Sequence, residues 1–463
     1  MQSFDLCVIG SGSGNSIVDE AFAEWSVALI DGGERFGGTC LNAGCIPTKM
    51  FVHPADLART PDHARPLGVE LGTARVDWPA IRDRIFDRID PISEAGELWR
   101  EQNSNVTLFR EQARFVGPRR LLVGDEEITA ERFVLAAGSR PRVPDLPGLA
   151  DPDVAARVHT SDSVMRIDEL ARRLVIVGGG AVAAEFAHVF AAFGTQVTML
   201  NRSERLLRSE DDEVAAAFTD HLASRVALRL NQRVTDVVKT DRGSLLVASV
   251  DPEGITYDFE TDLVLLAIGR TPNSDRLGLE TAGIDVDEVG RVVVDAQQRT
   301  TADGVFALGD LSSPWELKHV ANHEARVVRH NLLHPDAMIA SDHRFVPHAV
   351  FAEPQIASVG LTEAKAGELG LRYVSAVQPY GTVAYGWAME DTDHFVKLLA
   401  DPDTKQLLGA HILGPEASTL IQPLIQAMSF GLDVPSMARG QYWIHPALAE
   451  VVENALLALN LET

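Results

Sequence analysis

Two cysteines, Cys40 and Cys45, lie close together in the segment GGTCLNAGCIPTK (37–49), and the chain contains three cysteines in all. A disulfide that closes so short a loop adds little stability, because the stabilisation grows with loop length. In a chain with so few cysteines, a close pair is more typical of redox or metal chemistry than of a structural bridge. No other cysteine and no histidine at zinc-ligand spacing accompanies the pair. We therefore expect a dithiol that cycles between thiol and disulfide, and no metal site.

The chain must turn between the two cysteines if they are to form a disulfide. A disulfide requires Cα atoms about 4.4–6.8 Å apart, whereas five extended residues span about 17 Å. Gly37, Gly38 and Gly44 provide backbone freedom for such a turn, as at the irregular start of a helix. Cys7 lies inside the first predicted strand and is expected to be an ordinary buried thiol.

A glycine-rich loop follows the first apolar strand in LCVIGSGSGNSIVDEAFAEW (6–25). Gly10 permits a tight turn, and Gly12 allows a pyrophosphate to approach the backbone at the start of a following helix. Asn15 stands where the dinucleotide fingerprint usually has a third small residue. Asp31 ends the next strand about 20 residues further on, where an acid binds ribose hydroxyls. The pattern predicts a strand–loop–helix unit that binds a dinucleotide.

A second unit of the same kind occupies residues 174–194 (LVIVGGGAVAAEFAHVFAAFG), and a weaker one ends in GVFALGD at 304–310. The second loop matches the fingerprint in full, at Gly178, Gly180 and Ala183. Two nucleotide sites in one chain indicate electron transfer between a resident flavin and a diffusing nicotinamide. Asp310 is placed to bond the sugar chain of the resident nucleotide.

Arginines follow the strand after the second loop. That strand, QVTML, ends in Asn201 rather than in an acid, and Arg202 and Arg208 come after it. An acid would repel a 2′-phosphate, whereas arginines can bind one through paired hydrogen bonds. The pattern predicts NADPH rather than NADH, unless the two arginines are only a solvated surface patch.

The composition is that of a globular protein with several cores. The chain has 463 residues, 46% of them hydrophobic, and a formal net charge of −25, which argues against binding to nucleic acid or anionic membranes. No run of about 18 uncharged apolar residues is present, and the N-terminus lacks the basic region of a signal peptide. We expect a cytoplasmic protein with no nucleic-acid or membrane partner.

The cysteine segment resembles the active-site motif of the pyridine nucleotide–disulfide oxidoreductases. This flavoprotein family includes glutathione reductase, dihydrolipoamide dehydrogenase, mercuric reductase and mycothione reductase. The resemblance covers essentially the whole chain, including both glycine loops, VFALGD, FAEPQIASVGLTE (351–363) and IHPALAE (444–450). It implies FAD and NADPH as cofactors, a small-molecule disulfide as substrate, and a homodimer.

The fold that the resemblance implies is α/β, with two Rossmann-like nucleotide-binding domains (glutathione reductase-like) and a C-terminal α+β dimerisation domain. The expected divisions are 1–150 for the first part of the FAD-binding domain, 151–270 for the NADPH-binding domain, 271–340 for the second part of the FAD-binding domain, and 341–463 for the interface domain. Arg-Pro and Thr-Pro turns are expected to end the strands within 133–148 and 263–274.

The resemblance also assigns roles around the cysteines. Cys45 would be the thiol next to the flavin, and Cys40 the thiol that attacks the substrate disulfide. Lys49 would lie near the flavin N5 and pair with Glu185 in the helix after the second glycine loop. Cys45 should then be the more easily ionised thiol, because a cation and the oxidised flavin are close to it.

An acid–base dyad is implied by IHPALAE, in which His445 and Glu450 would complete the active site of the other subunit. A carboxylate bonded to one ring nitrogen raises the basicity of the other, so that the histidine can move a thiol proton near neutral pH. The remaining expected contacts to FAD are Gly10, Gly12, Ser13, Gly14, Asp31, Gly38, Thr39, Lys49, Ala137, Gly138, Gly309 and Asp310. Those to NADPH are Gly178, Gly180, Ala183, Glu185, Arg202, Arg208 and Gly269.

The substrate disulfide is indicated by departures from other branches of the family. The C-terminal segment ALLALNLET has no cysteine, unlike mercuric reductases and the larger thioredoxin reductases. At the positions of Asn201 and Ala447, the residue type differs from the one usual in the lipoamide branch. Asp19 and Glu20 would repel an acidic tripeptide such as glutathione, unless they are only solvated surface acids. These departures favour a neutral, hydroxyl-rich disulfide, as in the mycothione-reducing branch. Lipoamide or glutathione disulfide reduction, and a diaphorase or quinone reductase, are the alternatives.

Overall fold

The computed structural model describes residues 1–461 of the chain. Its strands are, in chain order, β1 (Gln2–Ile9), β2 (Val27–Ile30), β3 (Val106–Phe109), β4 (Ala113–Gly117), β5 (Arg120–Val123), β6 (Glu126–Leu135), β7 (Ser139–Pro141), β8 (Val158–His159), β9 (Arg173–Val177), β10 (Gln196–Leu200), β11 (Ala227–Arg229), β12 (Arg233–Lys239), β13 (Leu245–Val250), β14 (Thr256–Thr261), β15 (Leu263–Leu266), β16 (Arg270–Pro272), β17 (Val305–Ala307), β18 (His348–Val350), β19 (Ile356–Gly360), β20 (Val374–Pro379), β21 (Phe395–Ala400) and β22 (Leu407–Leu413). Its helices are α1 (Gly38–Asn42), α2 (Cys45–Ala64), α3 (Trp78–Glu101), α4 (Pro152–Ala155), α5 (Ala181–Ala192), α6 (Asp212–Ala223), α7 (Lys318–Leu333), α8 (Glu363–Glu368), α9 (Ala384–Ala388), α10 (Ala417–Leu420), α11 (Gln422–Phe430), α12 (Val434–Arg439) and α13 (Ala449–Ala458). The predicted α/β fold class is confirmed.

The first sheet has strands from two distant parts of the chain. Six of its seven strands lie in the order β3-β2-β1-β6-β5-β4, and the seventh, β17, pairs with β6. β1 runs parallel to β2 and β6, and β17 runs parallel to β6. Because β17 follows the long segment that contains β8 to β16, the chain returns to this sheet after an insertion. Cys7 is fully buried in β1, as predicted.

The inserted segment forms its own parallel sheet in the order β11-β10-β9-β15-β8, together with an antiparallel sheet of β12, β13 and β14. α5 follows β9 through the second glycine loop. The carboxyl ends of parallel strands meet at one edge, which is where nucleotides bind in such sheets. The domain divisions at residues 150, 270 and 340 stay predictions.

Two short strands stand where the sequence suggested turns. Residues 139–141 and 270–272 form β7 and β16, which pair with each other in antiparallel register. The Arg142 amide also donates to the Gly269 carbonyl at 2.9 Å. A residue before proline is restricted to extended conformations, so Arg140 and Thr271 continue the strand direction instead of turning. The chain thus enters and leaves the insertion through one two-stranded ribbon.

The C-terminal part is an antiparallel sheet in the order β18-β19-β22-β21-β20, with helices packed against it. β21 and β22 have almost no exposed apolar side chain, and Val451, Val452 and Ala455 of α13 are fully buried beside them. This arrangement agrees with the α+β character predicted for this region.

An apolar core joins the first sheet's helices to those of the insertion. The Phe51 ring of α2 stacks on Trp78 of α3 at 5.1 Å, and Trp78 lies 5.8 Å from Phe190 of α5. All three side chains are nearly inaccessible to solvent, so their burial is a strong stabilising contact. This core holds the start of α2, where Cys45 lies, against α5.

The first glycine loop is not followed by the α-helix that its pattern predicts. Two 3₁₀ turns, Gly14–Ile17 and Glu20–Phe22, occupy that stretch. The Arg100 guanidinium donates to the carbonyl oxygens of Asn15 at 2.6 Å and Val18 at 2.9 Å. In a regular α-helix those carbonyls would accept hydrogen bonds from backbone amides. Here they accept hydrogen bonds from this distant arginine instead. The expectation of a helix here was wrong.

Candidate active site

The first glycine loop and α1 approach each other closely. A Cβ on Gly38 would lie 2.7 Å from the Gly12 Cα, and Gly38 has φ of +75°. Gly10 has φ of +111°, and its hypothetical Cβ would lie 2.2 Å from the Ala136 carbonyl oxygen. Because no other residue adopts these conformations without strain, the glycines create a groove lined by backbone. The Gly14 backbone lies against the Ala136 side chain, with no room for a Cβ between them.

Asp31 lies beside this groove at the end of β2. Its carboxylate accepts hydrogen bonds from the Ser11 amide at 3.2 Å and the Gly33 amide at 2.7 Å. The Ser11 hydroxyl also contacts it, and Arg110 Nη1 lies 3.4 Å away. Burial nevertheless raises the pKa of Asp31, against these contacts. The acid is therefore held where it could bond the ribose hydroxyls of a dinucleotide.

The groove's chemistry fits FAD. The Gly12–Gly38 approach is a cradle that any Cβ would fill, and it leaves backbone amides available to a pyrophosphate. At the far end, the Ser139 hydroxyl donates to Asp310 at 2.6 Å, and Arg270 Nε lies 3.8 Å from the same carboxylate. Ser312 Oγ is buried and has no hydrogen-bond partner among residues 1–461. Asp310 and Ser312 are thus polar groups suited to the hydroxyls of a sugar chain.

The predicted residues Ala137, Gly138 and Gly309 border this end of the groove. The Asn273 side chain donates through Nδ2 to the Ala137 carbonyl at 2.8 Å, and its backbone N–H donates to the Gly138 carbonyl at 3.0 Å. The Gly309 amide donates to the Glu324 carboxylate at 2.7 Å. Burial raises the pKa of Glu324 to about 7. Glu324 was missed by the sequence analysis, because a single acid in an amphipathic helix carries no distinguishing pattern.

The two cysteines lie on either side of a break between helices. Cys40 is in α1, which ends at Asn42, and Cys45 begins α2. A Cβ on Gly44 would lie 3.0 Å from the Thr39 carbonyl oxygen, so this glycine allows the chain to fold back. The Cys40 thiol is hydrogen-bonded to Cys45. The turn therefore brings the two free thiols within hydrogen-bond distance of each other.

The two thiols differ in acidity. The hydrogen bond from Cys40 and the charge of Lys49 outweigh burial and lower the pKa of Cys45 to about 6. The same hydrogen bond, together with burial, raises the pKa of Cys40. At neutral pH Cys45 is therefore the thiolate, and Cys40 keeps its proton and donates a hydrogen bond to Cys45.

Lys49 joins the cysteine helix to the helix after the second glycine loop. Its Nζ lies 2.8 Å from Oε1 and 2.7 Å from Oε2 of Glu185. Glu185 is buried, and its Oε1 also accepts from the Phe351 amide at 2.9 Å. The Lys49 ammonium lies 4.7 Å from the centre of the Phe351 ring. The structure thus brings Glu185 to Cys45 and Lys49, which lie in one short segment at least 136 residues earlier in the chain.

The second glycine loop leads into α5 through Gly180. A Cβ on Gly178 would lie 2.1 Å from the Ala267 carbonyl oxygen, whereas one on Gly180 would have open space around it. Asn201 packs against the Gly179 backbone, and its amide donates to the Ser203 and Arg205 carbonyls at 3.1 and 2.8 Å. The residue that replaces the usual acid therefore shapes the loop that carries the arginines.

Arg202 and Arg208 are both exposed at this edge. Among residues 1–461, neither side chain has a hydrogen bond or ion pair, whereas the intervening Arg205 pairs with Asp212. Two uncommitted guanidinium groups beside a glycine loop suit an anionic ligand. Gly269, with φ of +107°, lies at the end of β15 on the same sheet.

His445 and Glu450 form a hydrogen-bonded pair at the surface. His445 Nδ1 lies 2.7 Å from Glu450 Oε1, and Glu450 Oε2 accepts from the Ala447 amide at 3.2 Å. The His445 side chain is 70% exposed, and Tyr442 and Ile444 beside it are also exposed. Within residues 1–461, the pair has no contact with the cysteines of the same chain. The structure therefore brings the dyad together but leaves it apart from the dithiol.

Lys318 is a residue near the cysteines that the sequence analysis missed. Its Nζ donates to Ser13 Oγ at 2.8 Å, which connects the start of α7 to the first glycine loop. The hydrogen bond to Cys45 and burial raise the pKa of Cys40, and the Lys318 charge opposes them. No local pattern could reveal this contact, because the two partners lie about 300 residues apart.

Asp19 and Glu20 do not form a common acidic patch. Asp19 accepts from Arg329 Nε at 2.7 Å, and this contact lowers its pKa. Glu20 is exposed. Since an arginine neutralises Asp19, the repulsion expected toward an acidic substrate is weaker than the sequence suggested.

Two family models match the chain. The model described as pyridine nucleotide-disulphide oxidoreductase covers residues 4–325, and its dimerisation-domain model covers residues 346–456. No helix in residues 1–461 combines the length and the hydropathy needed to cross a membrane.

Curated relatives and solved structures agree with these matches. A mycothione reductase of Mycobacterium tuberculosis is 53% identical, covering 99% of this chain and 100% of its own length. A glutathione reductase of Burkholderia cepacia is 32% identical over 96% of this chain and 97% of its own. The HOCl-induced flavoprotein disulfide reductase RclA from Escherichia coli has a TM-score of 0.85 at 30% identity, covering 99% of both chains.

Proposed function

The chain belongs to the pyridine nucleotide-disulphide oxidoreductase family, and from this premise we propose that it reduces mycothione to mycothiol with electrons from NADPH. Membership makes it an FAD-dependent disulfide reductase that uses a pyridine nucleotide and has a dimerisation domain. Mycothiol is built from cysteine, glucosamine and inositol and carries no carboxylate. The observation that carries the choice of substrate is the 53% identity over 99% of the chain to a mycothione reductase.

Segments around the proposed site support the same choice. GSGSGNSIVDE (10–20), KHVANHEARVV (318–328) and QYWIHPALAEVVENAL (441–456) resemble mycothione reductases. The second of these contains Lys318, which contacts the first segment through Ser13. The charge of Lys318 also acts on Cys40, and the third stretch contains the proposed dyad. These stretches are therefore the ones we propose to distinguish one disulfide from another.

In the proposed chemistry the two cysteines have different roles, because they differ in acidity. When bound, FAD would accept a hydride from NADPH and pass two electrons to the Cys40–Cys45 disulfide. Cys40, once deprotonated, attacks one sulfur of mycothione, forms a mixed disulfide and releases a first mycothiol thiolate. Cys45 then attacks the Cys40 sulfur, which restores the internal disulfide and releases the second thiolate.

A base and an acid are needed because Cys40 holds its proton more tightly than Cys45. In the proposed homodimer, His445 of the partner subunit takes this proton and returns it to a departing mycothiol thiolate. Glu450 orients the imidazole through Nδ1, which leaves Nε2 for the proton. The second thiolate takes its proton from solvent. The exposed position of the dyad, away from its own cysteines, supports its action across an interface.

Binding of NADPH is proposed at the second glycine loop. Gly178, Gly180 and Ala183 would accommodate the pyrophosphate, and Arg202 and Arg208 the 2′-phosphate. Glu185, held by Lys49, lies between this loop and the dithiol helix. A cytoplasmic location is part of the proposal, since a chain with only three cysteines, two of them a redox pair, suits a reducing compartment.

Turnover of three disulfides tests the proposal. The purified holoenzyme is supplied with NADPH and with mycothione, glutathione disulfide or lipoamide, and nucleotide oxidation is followed. We expect the kcat/KM for mycothione to exceed the other two by at least about 10²-fold. Comparable or better activity with glutathione disulfide or lipoamide would refute the choice of substrate while leaving the reductase chemistry in place. Quinone reduction that survives loss of both cysteines would instead favour a diaphorase.

A further inference from the structure

A partly buried carboxylate, Glu353, gathers side chains from two other parts of the fold. Its Oε1 lies 2.8 Å from His63 Nε2, and its Oε2 lies 3.2 Å from Arg59 Nε and 3.0 Å from Arg225 Nη1. Arg59 and His63 are in α2, Arg225 follows α6, and Glu353 precedes β19. Burial alone would raise the pKa of Glu353, but His63 and the two arginines lower it. The carboxylate is therefore an anion at the junction of these elements.

The cluster continues inward to a fully buried histidine. Arg225 Nη2 lies 3.2 Å from His188 Nδ1, and His188 Nε2 lies 2.8 Å from Asp56 Oδ1. Because the guanidinium can only donate, Nδ1 accepts and Nε2 donates to Asp56. His188 belongs to α5 and Asp56 to α2, so this chain of hydrogen bonds fastens those two helices together.

The same two helices carry the Lys49–Glu185 pair. Lys49 and Asp56 are seven residues apart on α2, and Glu185 and His188 are three residues apart on α5. The Lys49–Glu185 and Asp56–His188 contacts therefore lie on the same facing sides of the two helices, about two turns apart on α2 and one turn apart on α5. The cluster around Glu353 thus neighbours the Lys49–Glu185 pair along the contact between α2 and α5.

A second connection runs through the backbone from Glu353 to Phe351. The Phe351 amide donates to Glu185 Oε1 at 2.9 Å, and its ring lies 4.7 Å from Lys49 Nζ. The Arg225 guanidinium also donates to the Glu353 carbonyl at 3.2 Å. Segment 351–353 is thus anchored at one end by charged side chains and touches both members of the Lys49–Glu185 pair at the other.

We propose that Glu353 is a positioning residue, which holds Phe351 against Lys49 and Glu185 and thereby keeps the Lys49 charge close to the Cys45 thiolate. The inference rests on the role proposed above for Lys49. Loss of the Glu353 anchor would move the Phe351 amide away from Glu185 and leave that carboxylate less compensated. It would also let Lys49 move away from Cys45. Both changes make the thiolate less stable.

The ionisation of Cys45 in the variant Glu353→Gln tests this role. Reduced holoenzyme is alkylated with iodoacetamide at a series of pH values, and mass spectrometry of peptides follows modification at Cys45 alone. We expect the midpoint of the rate profile to rise by roughly half a unit or more. Loss of the negative charge of Glu353, by itself, would lower the midpoint. An unchanged or lower midpoint would therefore overturn the proposal.

Two further variants keep the result interpretable. His63→Gln removes a half-exposed partner of Glu353 and should shift the midpoint in the same direction by less. Glu368→Gln makes the same chemical change at an exposed carboxylate paired with Lys365 and should shift nothing. An equal shift in Glu368→Gln would overturn the proposal, and so would a Glu353→Gln protein that fails to fold while His63→Gln leaves the midpoint unchanged.

A benchmark separates this inference from the proposed function. Lys49→Met should raise the same midpoint at least as far as Glu353→Gln. If Lys49→Met has no effect, the roles proposed for Lys49 and Glu353 both fail. If it shifts the midpoint and Glu353→Gln does not, only the role of Glu353 fails. The measurement uses neither mycothione nor NADPH, so an error in the substrate would not change its outcome.

Discussion

Lys49 Nζ contacts both carboxylate oxygens of Glu185, at 2.8 and 2.7 Å, across 136 residues of sequence. The contact ties the helix that begins at Cys45 to the helix that follows the second glycine loop. Glu185 is buried and Lys49 is only one-third exposed, so the pair is protected from solvent screening. Its positive end lowers the pKa of Cys45 and its negative end raises it. The balance between the two ends therefore adjusts the reactivity of the dithiol.

Replacing Lys49 by methionine should make Cys45 a weaker acid. The hydrogen bond from Cys40 and the Lys49 charge lower the pKa of Cys45 to about 6, so loss of the charge should raise it by about one unit. Less thiolate would then be present at neutral pH, and the acid limb of the kcat profile should move to higher pH. Rapid-mixing and steady-state assays across pH measure both. Lys239→Met, at an exposed lysine paired with Asp153, should leave the profile unchanged.

The two cysteines should differ when they are replaced one at a time by serine. Each change should reduce turnover of a disulfide by at least about 10³-fold. Cys40→Ser should show long-wavelength absorbance as isolated, before any NADPH is added, because its Cys45 thiolate lies beside oxidised flavin and has no partner for a disulfide. Cys45→Ser should show none as isolated. Absorbance that persists in Cys45→Ser would reverse the assignment of the two thiols.

Subunit exchange should show whether His445 acts across the dimer. Cys40→Ser and His445→Gln homodimers should both be nearly inactive. If the partner's His445 completes each site, a mixed dimer has one intact site, and random exchange restores about one quarter of wild-type activity. If the histidine served its own chain, every site in the mixture would carry a mutation. Recovery after mixing and brief partial unfolding, measured against each variant treated alone, distinguishes the two arrangements.

Replacing Arg202 and Arg208 by alanine should weaken the selection of NADPH over NADH. Neither guanidinium has a partner within residues 1–461, so both are available to a 2′-phosphate. We expect the double variant to raise the KM for NADPH by about 10–100-fold and to change that for NADH by less than about twofold. Arg205→Ala is the matched control, because Arg205 already pairs with Asp212. Equal changes for both nucleotides would show that the arginines are only surface charges.

Replacing Lys397 by methionine should destabilise the contact between the C-terminal sheet and α6. Lys397 is almost fully buried, with Nζ 2.8 Å from Asp211 and 2.6 Å from Glu363. Removal of the cation leaves Asp211 as an uncompensated buried charge, which typically costs about 3–5 kcal/mol. Thermal unfolding should shift down by about 3–5 °C, because the unfolding entropy of a 463-residue chain is about 1 kcal/mol/K. Lys365→Met, at an exposed lysine, should shift it by less than about 2 °C. A small effect at Lys397 would mean that water reaches Asp211.

Much of the redox site was predictable because its residues lie in short local patterns. Cys40, Cys45 and Lys49 lie within one short segment, and His445 and Glu450 are five residues apart. Local patterns failed where a distant side chain intervened. Arg100 removes the helix expected after the first glycine loop, and Arg329 neutralises Asp19.

The sequence by itself determined the composition of the site: a close cysteine pair, two glycine loops, an acid replaced by Asn201, and a histidine with a nearby glutamate. These features are local, and a few φ angles or side-chain types suffice to define them. Only the tertiary structure decided which distant side chains hold the two thiols and their charged neighbours in place. Lys49 meets Glu185, Lys318 meets Ser13, and Glu353 meets Arg225 across separations that no periodicity encodes. The strength of such contacts depends on burial, which only the packed fold establishes.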